Sequence, residues 1–137
     1  MEKLFHFDSP EAHYNADACV ISCIDARFAL ATRKFLKRIG IAMYDHIQIP
    51  GAAKLLNATD GSSDRDFVCR MIVVSQQLHY AKRVLLVGHN DCGAYGGASV
   101  DVIAGDVLRA AEFIRRSDPS LAVDCYFADF DGVYRIV

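Results

Sequence analysis

The sequence lacks the features typical of membrane, secreted and nucleic-acid-binding proteins. None of its apolar runs reaches the ~18 residues that a membrane-spanning helix requires. The first eight residues contain no apolar stretch of the kind found in signal peptides. Lysine and arginine total 15 against 17 aspartate and glutamate, so the net charge of −2 offers no basic excess for nucleic acid. These absences predict a cytoplasmic protein whose partners are neither a membrane nor a nucleic acid.

Signatures of nucleotide binding are missing as well. The glycine-rich turn that follows residue 92 has no Lys-Ser or Lys-Thr pair, which a phosphate-binding loop requires. It also lacks the glycine spacing of a dinucleotide fingerprint. No internal repeat and no low-complexity segment occurs along the chain. We therefore do not expect a nucleotide cofactor.

The length and the cysteine count narrow the class of protein further. A chain of 137 residues predicts one domain over residues 1–137, with residues 1–17 as an N-terminal arm. The five cysteines are an odd number in a chain without a secretory signal, which argues against a disulfide framework. Cys19, Cys69 and Cys125 lie within apolar stretches and are expected in the core. Cys23 and Cys92 are left as candidates for chemistry.

Hydrophobic periodicity predicts alternating strands and helices. Apolar runs predict strands at 18–22, 44–49, 83–87 and 121–130, and helical spacing predicts helices at 28–39, 64–78 and 99–116, the second preceded by Ser63 as its cap. Asp131-Gly132 predicts a hairpin turn into a last strand at 133–137. This order argues for a three-layer α/β fold, with a mainly parallel sheet of about four strands plus an antiparallel C-terminal edge strand.

Two strand ends carry the residues best suited to chemistry. The first strand is followed by Cys23, Asp25 and Arg27, and the third by His89 and Cys92. Ligands bind beyond the carboxyl ends of strands in open α/β sheets, so these residues converge if the two strands are neighbours. Two thiolates and an imidazole suit Zn²⁺, and three protein ligands leave a fourth position for water. The sequence therefore predicts a zinc site formed by Cys23, His89 and Cys92.

Asp25 decides whether that site is open. As a fourth ligand, Asp25 would close the coordination sphere and leave no room for water. Held aside by Arg27 in a charge-assisted pair, it would instead accept a hydrogen bond from a zinc-bound water, whose pKa the metal lowers toward ~7. The first arrangement predicts a structural zinc and the second a catalytic one, and the residues alone leave both open.

The two motifs, Cys23-Ile24-Asp25-Ala26-Arg27 and Gly88-His89-Asn90-Asp91-Cys92-Gly93, together resemble those of the β-class carbonic anhydrases. Those enzymes carry Cys-x-Asp-x-Arg after the first strand and His-x-x-Cys after the third. The resemblance implies that Cys23, His89 and Cys92 bind zinc and that Asp25 and Arg27 form the catalytic pair. It also implies reversible hydration of CO₂ to bicarbonate by zinc-bound hydroxide, and a homodimer or higher homo-oligomer.

The chain departs from the family beside the expected site. Where the family usually has Arg-Asn-Ala-Gly-Asn, this sequence reads Gln48-Ile49-Pro50-Gly51-Ala52, and it has little of the family's N-terminal helical arm. A second hypothesis is therefore a zinc enzyme acting on another small electrophile, such as COS or CS₂. A third is a non-catalytic zinc-binding protein in which Asp25 closes the site. A redox role for Cys23 and Cys92 is the weakest hypothesis, because they form no Cys-x-x-Cys pair.

Overall fold

The computed structural model describes residues 1–137, arranged as a five-stranded sheet with helices on both faces. The strands are β1 (Ala18–Ser22), β2 (Tyr44–Gln48), β3 (Arg83–His89), β4 (Ala122–Asp129) and β5 (Gly132–Arg135). The helices are α1 (Ala26–Arg38), α2 (Ser63–His79) and α3 (Val100–Ser117), with short 3₁₀ helices at Ala52–Asn57 and Gly93–Tyr95. The strand order is β2-β1-β3-β4-β5, in which only the β4–β5 pair is antiparallel. The predicted fold class is confirmed.

The three layers follow from the alternation of side chains along the strands. Cys19 and Ile21 of β1 face the side covered by α2, α3 and the first 3₁₀ helix. Val20, between them, faces α1, where it packs in one cluster with Phe28 and Leu36. β1 and β3 are the central strands and are buried on both faces, so they read as nearly continuous apolar runs in the sequence.

Helix α1 starts immediately after the first candidate motif. The Asp25 side chain caps it by accepting a hydrogen bond from the Arg27 backbone N–H at 3.0 Å. At its other end, Gly40 adopts a φ of +83°, as expected for the glycine that follows a helix C-terminus. The helix therefore begins at Ala26, two residues before the apolar pattern that predicts it, because a polar cap sets its start.

Two parts of the fold differ from the sequence-based prediction. The residues Ala52–Asn57 form a 3₁₀ helix that buries Ala53 and Leu56, although no periodic pattern marks it. On α2, the helical spacing of Phe67 and Leu78 predicts that they face inward, but they are 45% and 63% exposed. Helix α2 buries fewer side chains than its sequence pattern predicts, because the 3₁₀ helix covers part of the same face of the sheet.

Residues 1–17 contain no helix or strand, yet the last of them are attached to the sheet. The Tyr14 hydroxyl donates to Asp45 at 2.5 Å, and the Asp17 carboxylate accepts from the backbone N–H groups of Ala42 and Met43. Asp45 also accepts a hydrogen bond from Ser75 of α2, at 2.6 Å. None of the helices is both long enough and apolar enough to cross a membrane.

Candidate metal centre

The candidate ligands meet at the carboxyl ends of the two central strands. β1 and β3 are parallel neighbours, so Cys23 directly after β1 lies beside His89 at the end of β3. The loop after β3 brings back Cys92, whose Sγ lies 3.8 Å from the Sγ of Cys23. Ligand atoms of Cys23, His89 and Cys92 all lie within 4.8 Å of one another. The structure thus brings together the three residues predicted from the sequence, and their binding of a metal stays a prediction.

His89 presents an imidazole nitrogen that has no partner within the protein. Its Nδ1 lies 2.7 Å from the carbonyl of Asn90, which accepts the proton of that nitrogen and so leaves a lone pair on Nε2. Nε2 is buried and makes no hydrogen bond. The ring is held by Phe28, whose centroid lies 4.5 Å away. A buried acceptor without a donor is costly, and a metal ion is the partner that fits it.

The two thiols make a site that favours a cation. Burial raises the pKa of Cys92, and the nearby Cys23 sulfur raises it further, so the site disfavours a second thiolate unless a positive charge is present. The backbone N–H of Gly51 points to the Cys23 Sγ at 3.5 Å. Two sulfurs and one imidazole nitrogen at these separations fit Zn²⁺, which prefers this set of donors.

Asp25 is not part of that cluster of ligand atoms, because Arg27 holds it. The Arg27 Nε lies 3.1 Å from each Asp25 carboxylate oxygen, and one terminal nitrogen donates to Oδ2 at 2.7 Å. These hydrogen bonds, together with the one from the Arg27 backbone, lower the pKa of Asp25 to about 2. The geometry corresponds to the open arrangement weighed from the sequence, in which Asp25 is ionised and held aside.

Sequence reasoning missed a second acceptor for Arg27. The guanidinium also donates to the Asp91 carboxylate at 2.9 Å and to the Asp91 carbonyl at 3.0 Å. It lies 5.7 Å from the ring centroids of both Phe28 and Phe130. The only signal for Asp91 in the sequence is its position inside the His-x-x-Cys motif, and none marks Phe130.

The segment that departs from the family pattern lies against the ligands. Gly51 has a φ of +75°, and a Cβ at this position would come within 3.1 Å of the Cβ atoms of Ala94 and Lys54. Only glycine fits both this conformation and this close approach. Lys54, in the 3₁₀ helix that follows this segment, donates to the Ala94 carbonyl and lies over the Tyr95 ring. This segment therefore lies directly against Cys23 and against the loop that follows Cys92.

A small cavity of about 10 Å³ adjoins Cys23 and His89. Its other walls are mostly apolar and include Phe28, Val87 and Ala128. Its volume is enough for about one water molecule. The protein thus leaves only a small and largely apolar space next to two of the candidate ligands.

Comparisons with known proteins agree with the motifs. The model of a family described as "Putative carbonic anhydrase" matches residues 14–137. An uncharacterised protein of Rickettsia conorii is 27% identical over 130 residues, which cover 86% of this chain and 70% of that protein.

Solved structures share the fold at low sequence identity. A carbonic anhydrase from Streptococcus mutans superposes with a TM-score of 0.68 at 16% identity, covering 96% of this chain and 88% of that one. A carbon disulfide hydrolase superposes with a TM-score of 0.63 at 12% identity, covering 90% and 80%. Both structures place this chain in the same fold.

Proposed function

The chain belongs to the carbonic anhydrase family that matches residues 14–137, as a divergent β-class-like member, and we propose that it is a zinc-dependent carbonic anhydrase. The proposed reaction is the reversible hydration of CO₂ to bicarbonate. The observation that carries this proposal is the combination of three converging ligands with a carboxylate held away from them by Arg27. With Zn²⁺ bound by these three ligands, that combination would leave a fourth coordination position for water, as catalytic zinc sites require.

Each residue of the site has a distinct role in this proposal. Cys23, His89 and Cys92 would hold Zn²⁺, which when bound would supply the Lewis acidity that lowers the pKa of a water molecule toward ~7. Asp25 would accept a hydrogen bond from a water molecule at the site and orient it toward the substrate. With a pKa of about 2, Asp25 stays ionised at neutral pH and is too weak a base to remove the proton itself. Arg27 keeps the carboxylate ionised and in place.

The protein encloses little space beside the ligands, and that space is largely apolar. The cavity next to Cys23 and His89 has walls that are mostly apolar. CO₂ has no net dipole and needs no strong hydrogen-bond donor for binding. The cavity itself holds only about one water molecule, so CO₂, with three heavy atoms, would bind next to the ligands but outside this cavity.

The first test is CO₂ hydration by stopped flow on protein whose zinc content has been counted. We expect about one zinc per chain and a rate above that of the uncatalysed reaction. Cys92→Ser should lose most of the zinc and the activity with it, because a hydroxyl replaces a thiolate ligand. Cys69→Ser, which alters a half-buried thiol of α2 outside the cluster, should keep both. Equal rates in Cys92→Ser and the unmodified protein would refute the proposal.

A second candidate keeps the zinc and changes the substrate to CS₂ or COS. Two observations favour it: the altered segment around Gly51 lies directly against Cys23, and a fold neighbour is a carbon disulfide hydrolase. Sulfide release from CS₂ with negligible CO₂ hydration would select this candidate. Full zinc occupancy without either activity would favour the non-catalytic zinc protein instead.

We further propose that the chain acts as one zinc-binding domain over residues 1–137, with residues 1–17 as an N-terminal arm. The assembly proposed is a homodimer or higher homo-oligomer, supported by the exposed apolar side chains Leu4, Phe5 and Phe7 in that arm. Light scattering that gives the mass of a monomer at micromolar concentration would contradict this assembly.

The location we propose is the cytoplasm, because free thiols at the site fit a reducing compartment.

A further inference from the structure

We propose that Asp91 is a positioning residue, which holds Arg27 and thereby keeps the Asp25 carboxylate away from the metal. The inference rests on the proposed zinc site and adds to it a residue outside the five predicted from the motifs. The observation that supports this inference is the contact between the Arg27 guanidinium and the loop that joins His89 to Cys92.

Arg27 is held along two edges of its guanidinium group. Nε and one terminal nitrogen donate to the Asp25 carboxylate. The two terminal nitrogens donate to Asp91, one to the carboxylate at 2.9 Å and one to the carbonyl at 3.0 Å. The planar group is thereby fixed in orientation as well as in position. Arg27 connects the loop after β1 with the loop after β3, and both loops carry candidate ligands.

The second edge matters because the first does not restrain Arg27 by itself. The Arg27 side chain is 47% exposed, and Asp25 lies only two residues away on the same helix start. This pair is anchored only to the start of helix α1, through the capping hydrogen bond from the Arg27 backbone N–H to Asp25. Asp91 belongs to another strand end, so its contact ties this pair to the rest of the site. Without the Asp91 carboxylate, the pair gains freedom and Asp25 gains access to the position next to Cys23.

The shape of the loop does not depend on the Asp91 side chain. Asp91 has a φ of +51°, a left-handed conformation that glycine and asparagine adopt at low cost. Its backbone N–H donates to the Asn90 side chain at 2.8 Å, and Asn90 in turn donates to Asp129 at 2.9 Å. The Asp91→Gly substitution therefore removes the carboxylate contact and leaves the loop and its carbonyl contact in place.

The test uses azide as a probe of the free metal position. The full-length protein is loaded with Co²⁺, and azide binding is followed by the visible absorption of the metal. We expect azide to bind Asp91→Gly about two- to fivefold more weakly than the unmodified protein, because the Asp25 carboxylate then competes with azide for the same position on the metal. The change is modest because the Arg27–Asp91 ion pair is exposed to solvent. Asp131→Asn removes a nearby surface carboxylate that does not contact Arg27, and it should leave the azide affinity unchanged.

A double variant separates this role from a general disturbance of the site. Adding Asp25→Asn to Asp91→Gly removes the competing ligand, so azide affinity should return to that of the unmodified protein. An unchanged affinity in Asp91→Gly, or a loss that persists in the double variant, would overturn the inference. Failure of the unmodified protein to bind Co²⁺ would overturn the inference and the proposed metal site together. Absence of CO₂ hydration by zinc-loaded protein would refute the proposed activity alone, since the azide series does not depend on turnover.

Discussion

Arg27 is the residue that joins the separate parts of the candidate site. Its guanidinium group contacts the carboxylates of Asp25 and Asp91 and lies near two aromatic rings, and these ion pairs raise its own pKa. Lysine could supply the charge but not this geometry, because an ammonium group is a point charge without a planar fork. The identity of the residue as arginine, beyond its charge, is therefore what keeps Asp25 in place.

The substitution Arg27→Lys tests this requirement. We expect zinc content to stay near that of the unmodified protein and CO₂ hydration to fall on the order of 10–100-fold, the usual cost of removing a group that orients a metal-site residue. Zinc analysis and stopped-flow measurements on the same preparation check both expectations. Arg33→Lys, on the exposed side of α1, is the matched control and should change neither. A loss of less than twofold in Arg27→Lys would show that charge alone is sufficient.

At the scale of elements, the position of His89 depends on how closely α3 approaches β3. Gly88 allows this approach, since a Cβ at this position would lie 3.0 Å from Val107 and 3.2 Å from Ile103. Both of these side chains are buried in α3 and have little room to move. The absence of a side chain at Gly88 therefore sets the distance between the helix and the strand that ends in His89.

We expect Gly88→Ala to lower the free energy of unfolding by about 1–3 kcal/mol, as overpacking of a core does. Urea denaturation followed by circular dichroism measures this change. Gly93→Ala provides the comparison, because a Cβ there meets nothing within 4 Å and the backbone needs no positive φ. Equal stabilities of the two variants would mean that α3 shifts at little cost.

Long periodic elements and strand-end motifs could be predicted from the sequence, and contacts set by local turns could not. The buried run of β3 and the stripe of α3 reflect repeated burial on one face, which a periodic pattern records. The 3₁₀ helix at Ala52–Asn57 is a single short element without a repeat, so it leaves no comparable pattern. The Asp91 contact depends on a left-handed backbone at a non-glycine residue, which the sequence does not mark.

At the scale of the whole molecule, several carboxylates are more acidic in the folded chain than in the unfolded one. Hydrogen bonds lower the pKa values of five of them: Asp17, Asp25, Asp45, Asp118 and Asp129. Burial opposes the ionisation of Asp45, but donors on Ser75, Tyr14 and His79 outweigh it. These groups connect the N-terminal segment, the sheet and the loop after β3, so their ionisation stabilises distant parts of the fold.

This pattern predicts loss of stability in acid. A carboxyl group whose pKa is lowered by folding stabilises the native state above its ordinary pKa near 4, and this contribution is lost as the pH falls through the folded value, which is about 2 for Asp25. We expect the urea midpoint to fall steadily between pH 4.5 and pH 2.5 at constant ionic strength. Asp45→Asn should show a shallower fall, because one of the titrating groups is gone. A midpoint independent of pH in this range would contradict the prediction.

The candidate ligands are far apart along the chain, although they are neighbours in space. Cys23 and Cys92 are separated by 69 residues, and only the pairing of β1 with β3 brings them together. Of the three candidate ligands, only His89 and Cys92 are close together in an unfolded chain, so binding by all three requires closure of the central sheet. By thermodynamic linkage, an ion held by all three residues acts as a cross-link between the two halves of the chain. The affinity of the proposed metal site would therefore measure how completely the sheet has assembled.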